Sequence, residues 1–216
     1  MRLNILFENA TLQVVDKPAG IDIEEVQEML LKGFSPAHRL DKDTSGVLLI
    51  AKTKDALEFL QAQFKARKIQ KTYLCLVEGS LEQQEGEIVT LLGRSPNDRR
   101  KQKVFLPGEP GSERKREASS QYRVLKHYQG YTFLEVKPKT GRKHQIRVHL
   151  SYLGHPIAGD RLYGFKNQQV PKGLKRQFLH AHSLRLTMPS GKVKEFTSEL
   201  PADLNTVLEK ISGELQ

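Results

Sequence analysis

Cysteine is nearly absent from this sequence of 216 residues, which contains only Cys75. One thiol excludes an internal disulfide and a zinc site built from several cysteines, and it is typical of a reducing compartment. Long apolar runs are also missing, since none approaches the roughly 18 residues that cross a bilayer. The first residues, Met1–Asn4, do not resemble a signal peptide. We therefore expect a cytoplasmic protein with no membrane partner.

Several familiar catalytic motifs are missing too. The sequence has no Walker loop, no dinucleotide-binding fingerprint and no G-x-S-x-G elbow, so kinase and hydrolase functions have no support. His144 and His149 are five residues apart, a spacing that does not stack them on one helical face. His180 and His182 would share one face of a strand, but two histidines alone are weak support for a metal. We expect neither a metal nor a cofactor.

Positive charge is what the sequence has in excess. Its 35 lysines and arginines outnumber 25 acidic residues, for a formal net charge of +10. The segment from Arg94 to Arg116 holds eight lysines and arginines, three acids and five prolines or glycines, and it predicts a long, mobile basic loop. Such a surplus attracts polyanions, so we expect nucleic acid as the partner.

Apolar periodicity predicts many short strands and a few helices. Strands are predicted over 3–7, 12–15, 47–51, 71–77, 86–92, 120–126, 131–136, 178–187 and 192–196. Helices are predicted from 22 until Gly33, and over 53–67, 143–153 and 201–211. Hairpin-length links join many of the strands. The expected fold class is α+β, with a mixed, largely antiparallel β-sheet flanked by helices and loops, in one domain spanning residues 1–216.

A charged loop precedes the most apolar stretch of the chain. Residues 38–46 (H-R-L-D-K-D-T-S-G) lead directly into 47–51 (V-L-L-I-A), a pattern typical of a buried strand entered from a tight turn. Desolvating a charge costs free energy, so charges at the mouth of a core strand favour a chemical role. The alternative is that Asp43, Thr44 and Ser45 only close the turn through side-chain hydrogen bonds.

A second segment collects cations without acids. Residues 136–151 contain five lysines and arginines and no acidic residue. On the predicted helix, Lys143 and Arg147 would share one face, while Ile146 would point to the core. Like charges at this spacing repel each other, which is tolerable opposite a phosphate or a carboxylate. The alternative is a basic face in contact with water alone.

Four motifs, in this order, resemble those of the RluA-type family of RNA pseudouridine synthases. They are V-V-D-K-P-A-G at 14–20, H-R-L-D-x-x-T-S-G at 38–46, K-x-Y at 71–73, and G-R-x-H-Q-I-R-x-H at 141–149 with G-H-P-I-x-G-D at 154–160; L-H-A at 179–181 resembles the late strand of the family. The resemblance covers most of the chain. It implies the pseudouridine synthase catalytic fold and the conversion of uridine in RNA to its C-linked isomer, without a cofactor.

The resemblance also implies the catalytic residues. Asp41 matches the aspartate that attacks the uridine, whose base is detached at N1, turned and rejoined through C5. Arg147 matches a basic residue that would pair with Asp41 and keep it ionised. Tyr73 matches the tyrosine that packs on the target base. A carboxylate suits this reaction because breaking a glycosidic bond without a metal requires a nucleophile or a negative charge near the sugar.

Four further residues are candidates for RNA binding. Arg39 matches a residue that can fill the gap left by a flipped nucleotide, and flipping is required because the reacting atoms are shielded inside a stack. Arg142, Lys143 and His144 lie in the basic motif and are expected to contact RNA.

The expected function is the isomerisation of specific uridines in a tRNA or rRNA stem-loop by a monomeric enzyme. One alternative is a catalytically silent RNA-binding module that retains the fold. Another is a nucleoside hydrolase, which would release free uracil but would want a second carboxylate. Members of the family often carry an N-terminal S4 domain. Because the first strand is predicted at about Leu3, we expect none here.

Overall fold

The computed structural model describes residues 3–213, and their elements confirm the α+β class. The strands are β1 Asn4–Glu8, β2 Leu12–Lys17, β3 Ser35–Pro36, β4 Ser45–Ala51, β5 Gln70–Glu78, β6 Glu85–Arg94, β7 Gln102–Phe105, β8 Arg116–Tyr128, β9 Tyr131–Pro138, β10 Leu179–Thr187 and β11 Val193–Thr197. The helices are α1 Ile23–Met29, α2 Lys54–Lys65, α3 Gln145–Tyr152 and α4 Ala202–Gly213. None of the helices in this described range is long and apolar enough to cross a membrane.

The chain forms two compact units, each built from two stretches of sequence. Unit 1 comprises the residues up to Tyr73 together with Leu179–Pro201. Unit 2 comprises Leu74–Phe178 and the residues from Ala202 onward. The change of unit therefore falls inside β5, and the last helix, α4, belongs to unit 2.

Unit 1 is organised around β4. The strand order is β1-β2-β4-β10-β11, and β3 also pairs with β4. The pairs β1–β2, β2–β4 and β10–β11 are antiparallel, whereas β4 and β10 are parallel, with Ser45 opposite His180 and Gly46 opposite Ala181. The expected mixed sheet with mainly antiparallel pairs is confirmed.

Strand β4 is buried on both faces, because every one of its residues is shielded from solvent. Val47, Leu49 and Ala51 join one apolar cluster, and Leu48 and Ile50 join the other. This alternation follows from the two-residue period of a strand. The continuous apolar sequence therefore correctly predicted a buried strand here.

Unit 2 holds the part of β5 from Leu74 onward, followed across the sheet by β9, β8, β6 and β7. Strands β8 and β9 form an antiparallel hairpin, with Gly130 in the turn at a φ of +76°, a conformation that favours glycine. Strand β6 pairs with both β7 and β8 in antiparallel fashion. Helix α4 buries Leu204, Val207 and Ile211, whose spacing of three and four residues places them on one helical face.

The basic segment from Arg94 to Arg116 is more ordered than predicted. Strand β6 continues to Arg94, β7 lies within the segment, and β8 begins at Arg116. Strand β7 pairs with β6 from Leu91↔Phe105 to Arg94↔Gln102. The prediction of one long mobile loop is wrong, because Val104 and Phe105 are apolar anchors that become buried when they pair with a distant strand.

The predicted basic helix face is also wrong. Helix α3 begins at Gln145, and His144 before it adopts a left-handed conformation with a φ of +56°. Lys143 therefore precedes the helix and is exposed. Arg147 is only 7% exposed, so it does not share a solvated face with Lys143. The C-terminal end of the helix is as predicted, with Gly154 at a positive φ.

Candidate active site

Asp41 lies in a tight turn between a buried residue and the core strand of unit 1. The N–H of Thr44 donates to the carbonyl of Asp41 at 3.0 Å, which closes the turn. Leu40 is buried and joins an apolar cluster with Leu48 and Ile50, whereas Asp41 is only partly buried. The backbone on both sides of Asp41 is thus fixed, while Asp41 itself remains partly exposed.

Lys17, whose side chain is completely buried, stabilises this turn. Its Nζ donates to the carbonyls of Pro18, Ile21 and Lys42 at 2.8, 2.8 and 3.1 Å. The carbonyl of Lys42 also accepts the N–H of Gly20 at 2.9 Å. A buried ammonium needs such partners because its isolated charge would be very costly. Lys17 therefore joins the end of β2 to the residue that follows Asp41.

A second link joins the loop to β10. The Ser45 hydroxyl and Nδ1 of His180 are 2.9 Å apart, and Nε2 of His180 lies 3.0 Å from the Ser198 carbonyl. Because a carbonyl can only accept, Nε2 of His180 carries a proton and donates to Ser198. The neighbouring Gly46 has a φ of +117°, and a Cβ there would clash with the backbone carbonyl of Ala181. Only glycine allows this close approach of strands.

The first two residues of the charged loop 38–46, called the signature loop below, have different environments. Nε2 of His38 accepts the N–H of Leu49 at 3.1 Å, and its ring packs 4.9 Å from that of Phe64. Burial, together with the charge of Lys71, lowers the pKa of His38 to about 3, so the ring is neutral and structural. Arg39 is exposed, as its expected contact with RNA requires.

Tyr73 is the other candidate catalytic residue of unit 1. It packs against the cluster that contains Leu40, Leu48 and Ile50. Burial raises the pKa of Tyr73, and the negative charge of Asp41 raises it further. The phenol therefore stays neutral, and Asp41 is close enough for its charge to act on it. Unit 1 thus brings the carboxylate of Asp41 near the phenol of Tyr73.

Arg147 in unit 2 is held by a carboxylate that sequence analysis did not single out. Its Nε donates to Oδ2 of Asp160 at 2.7 Å, and its Nη2 donates to Oδ1 at 2.9 Å. The guanidinium also lies 5.1 Å from the ring centroid of Tyr163. Burial alone would raise the pKa of Asp160, but the hydrogen bonds and charge of Arg147 lower it below its ordinary value, helped by the N–H groups of Leu162 and Tyr163.

The loop before α3 is fixed through Gln145. Its Oε1 accepts the Thr140 hydroxyl at 2.7 Å and the Arg142 N–H at 2.9 Å. Its Nε2 donates to the Ser119 carbonyl and the Ser120 hydroxyl, both at 2.9 Å. A buried amide that uses both ends in this way rigidifies the backbone that carries Arg142 and His144.

His149 extends the same buried network and is completely shielded from solvent. Its Nδ1 lies 2.9 Å from the Ser120 hydroxyl and its Nε2 lies 3.0 Å from the Thr90 hydroxyl. Burial lowers the pKa of His149 to about 4, so the ring is neutral near pH 7. This histidine is therefore structural.

The three candidate RNA-binding residues of unit 2 lie together in the loop before α3. Arg142 is partly buried, and its Nε donates to the Glu117 carbonyl at 3.0 Å. Lys143 is exposed. Nδ1 of His144 lies 2.8 Å from the Tyr163 hydroxyl, which also accepts the N–H of Gln102 at 2.7 Å. Tyr163 therefore links this loop to the start of β7.

Sequence reasoning missed the roles of Asp160, Tyr163 and Lys17 in positioning these groups. A signal was present for Asp160, because residues 136–151 hold five cations and no acid, and a buried arginine needs a carboxylate from elsewhere. No comparable signal existed for Lys17, since nothing in a sequence shows that a lysine will be buried.

Comparison with known proteins gives consistent results. The family described as RNA pseudouridylate synthase matches residues 11–152. An uncharacterized RNA pseudouridine synthase of Chloroflexus aurantiacus is 45% identical over 175 residues, covering 81% of this chain and 52% of that protein. Ribosomal large subunit pseudouridine synthase D of Nitrosomonas europaea is 37% identical over 234 residues, covering 97% of this chain and 65% of that protein.

A solved structure is similar over nearly the whole chain. Human RNA Pseudouridylate Synthase Domain Containing 1 superposes with a TM-score of 0.83 at 30% identity, covering 99% of this chain and 94% of that one. The curated relatives are longer, and this chain spans about half to two thirds of their length, 52% in one case and 65% in the other.

Proposed function

This chain belongs to the RNA pseudouridylate synthase family, as residues 11–152 and its similarity to family members show, and from this we propose that it isomerises uridine in RNA to pseudouridine. The observation that carries the proposal is the placement of Asp41. Its carboxylate stands in a turn fixed by Lys17 and Ser45, near the neutral phenol of Tyr73.

The proposed reaction needs no other reactant. Asp41 attacks C1′ of the flipped nucleotide, the bond between C1′ and N1 breaks, and the base turns. C5 then forms a bond to C1′ while the bond from C1′ to Asp41 breaks, which regenerates the carboxylate. C5 loses its proton and N1 gains one, so product and substrate have the same composition. Tyr73 supports the base with its ring, and the motif resemblance assigns Arg147 as the basic residue of the reaction.

We propose a ribosomal substrate for this site. The Nitrosomonas europaea relative is named as a synthase for the ribosomal large subunit, and it covers 97% of this chain. A net charge of +10 suits binding to a polyanion. Arg39 and Lys143 are exposed and Arg142 is partly buried, so each of these candidate residues presents a cation to solvent. Large-subunit ribosomal RNA is therefore the first substrate to test, and tRNA the second.

The test combines pseudouridine mapping in cells with a purified reaction. Total RNA from cells lacking the gene is mapped after complementation with the wild type, Asp41→Asn or Asp43→Asn. Asp43 is the matched control, because it is an exposed carboxylate in the same loop. We expect the wild type and Asp43→Asn to restore one or a few sites and Asp41→Asn to restore none, because an amide is not a nucleophile.

Each other outcome points to a different conclusion. Full restoration by Asp41→Asn would remove Asp41 from the reaction. RNA binding by purified wild-type protein without isomer formation would favour the silent binding module, and release of free uracil would favour a hydrolase.

We further propose that the protein acts as a monomer in the cytoplasm. If light scattering gives the mass of two chains, the protein is not a monomer. If the protein fractionates with membranes, the proposed cytoplasmic location is wrong.

A further inference from the structure

Arg147 is held more firmly than a surface cation would be. It is 7% exposed, and Asp160 is 1% exposed. The pair is bidentate, with Nε–Oδ2 at 2.7 Å and Nη2–Oδ1 at 2.9 Å. Two parallel hydrogen bonds fix both the position and the plane of a guanidinium, which one bond cannot do.

Asp160 is itself fixed by the backbone that follows it. Its Oδ1 accepts the N–H of Leu162 at 2.9 Å and that of Tyr163 at 3.0 Å. The N–H of Gly164 donates to the Asp160 carbonyl at 2.8 Å. The carboxylate therefore cannot turn to follow Arg147, and the arginine must take the orientation that Asp160 dictates.

The ring of Tyr163 gives the guanidinium a second support. Its centroid lies 5.1 Å from Cζ of Arg147, within the range of a cation–π contact. The same residue is tied to His144 and Gln102 through its hydroxyl. Arg147 is thus held by a carboxylate and by an aromatic ring, both of which belong to one anchored turn.

We propose that Asp160 is a positioning residue for the pseudouridine reaction, acting by holding the Arg147 guanidinium in one orientation. The inference rests on the proposed function, in which Arg147 is the basic residue. It predicts that the turnover rate, and not the affinity for RNA, depends on Asp160. A misplacement of a reacting group by about 1 Å can cost about 100-fold in rate.

Asp160→Asn separates this role from the structural one. Its remaining oxygen can still accept the N–H groups of Leu162 and Tyr163, so the turn is retained. Its NH₂ group would face Nε of Arg147, donor against donor, so the bidentate pair is lost. Asp203→Asn is the matched control in unit 2, since Asp203 forms a similar pair with Arg176, with Nε–Oδ2 at 2.7 Å and Nη2–Oδ1 at 3.2 Å.

The first measurement is independent of activity. The Nε–H resonance of Arg147 is assigned in ¹⁵N-resolved NMR spectra by its loss in Arg147→Lys. In the wild type and in Asp203→Asn, we expect its chemical shift to differ from those of the exposed arginines and its proton to exchange slowly with water. In Asp160→Asn it should move toward the exposed arginines and exchange faster. An unchanged resonance in Asp160→Asn would overturn the orienting role.

The second measurement is kinetic. For Asp160→Asn we expect kcat to fall about 30- to 100-fold, with KM for RNA within about threefold, because a lost transition-state interaction lowers kcat and leaves binding intact. Arg147→Lys combined with Asp160→Asn should be no slower than Arg147→Lys alone, since one residue acts through the other. Additive losses, or an unchanged kcat, would overturn the inference. A wild type without activity would instead overturn the proposed function, and the NMR result would still decide the orientation.

Discussion

At the scale of single residues, His149 carries a measurable pH dependence. Its pKa is lowered from an ordinary value of 6.5 to about 4 by burial, so the unfolded chain takes up a proton at a higher pH than the folded chain does. The free energy of unfolding is therefore highest above pH 6.5 and decreases as the pH falls toward 4. Between pH 7.5 and pH 5, this one residue should account for about 2 kcal/mol.

Urea unfolding at a series of pH values checks this prediction. His149→Gln removes the titrating group, so its free energy of unfolding should depend less on pH over the same window, whatever its absolute stability. His38, whose pKa is lowered to about 3, acts in the same direction and accounts for part of the remaining slope. If the free energy of unfolding has the same slope against pH in the wild type and in His149→Gln, the neutral ring of His149 is not required for folding.

At the scale of elements, sequence patterns located most strands and helices because local signals agree with the final fold. Helix α1 begins at the predicted place, where Asp22 and Glu25 form a capping box and the N–H of Glu25 donates to Oδ1 of Asp22 at 2.9 Å. Strand β7 was missed because its four residues lie between prolines, glycines and charges. Only its pairing with β6, which no local pattern reveals, makes it a strand.

The candidate site was predictable to the same degree. Asp41 and Tyr73 come from short motifs, and unit 1 brings them together. The environment of Arg147 was predicted wrongly, because a helical period placed it beside Lys143 on a basic face. The left-handed backbone of His144 and the carboxylate of Asp160 determine the environment of Arg147. Both features depend on tertiary contacts.

Strand β7 also organises two lysines around one ring. The Nζ atoms of Lys103 and Lys115 lie 5.2 and 4.9 Å from the centroid of Phe105. If these cations contact RNA phosphates, Lys103→Gln with Lys115→Gln should reduce the slope of log affinity against log salt by about one unit per lysine. The measurement is a binding titration at several salt concentrations.

Lys126→Gln is the matched control, because Lys126 lies at the same distance, 4.9 Å, from the ring of Tyr128 on β8. Its salt slope should equal that of the wild type. Equal slopes in all three proteins would show that the order of β7 serves folding and not RNA binding.

At the scale of the whole molecule, the order of the chain does not follow the order of its units. After β11, which belongs to unit 1, the chain enters α4, which belongs to unit 2. Helix α4 buries Leu204, Val207 and Ile211, and Asp203 pairs with Arg176. Three buried aliphatic side chains contribute about 5 kcal/mol or more to the free energy of folding.

Ending the chain at Pro201 should therefore lower the stability of unit 2 and leave the stability of unit 1 nearly unchanged. Hydrogen exchange is expected to become faster in β6, β8 and β9, with little change in β2 and β4. A chain that ends at Gly213 keeps α4 and should exchange like the full sequence. Faster exchange in both units to the same extent would mean that they unfold as one cooperative body.

The buried ammonium of Lys17 has one further consequence. Amine-reactive reagents modify lysines that water can reach, and most lysines of this chain qualify. Lys17 is fully enclosed by the carbonyls of Pro18, Ile21 and Lys42, so it can be labelled only when the segment around Asp41 opens. The protein thus contains a natural reporter, at a single position, of how often its signature loop comes apart.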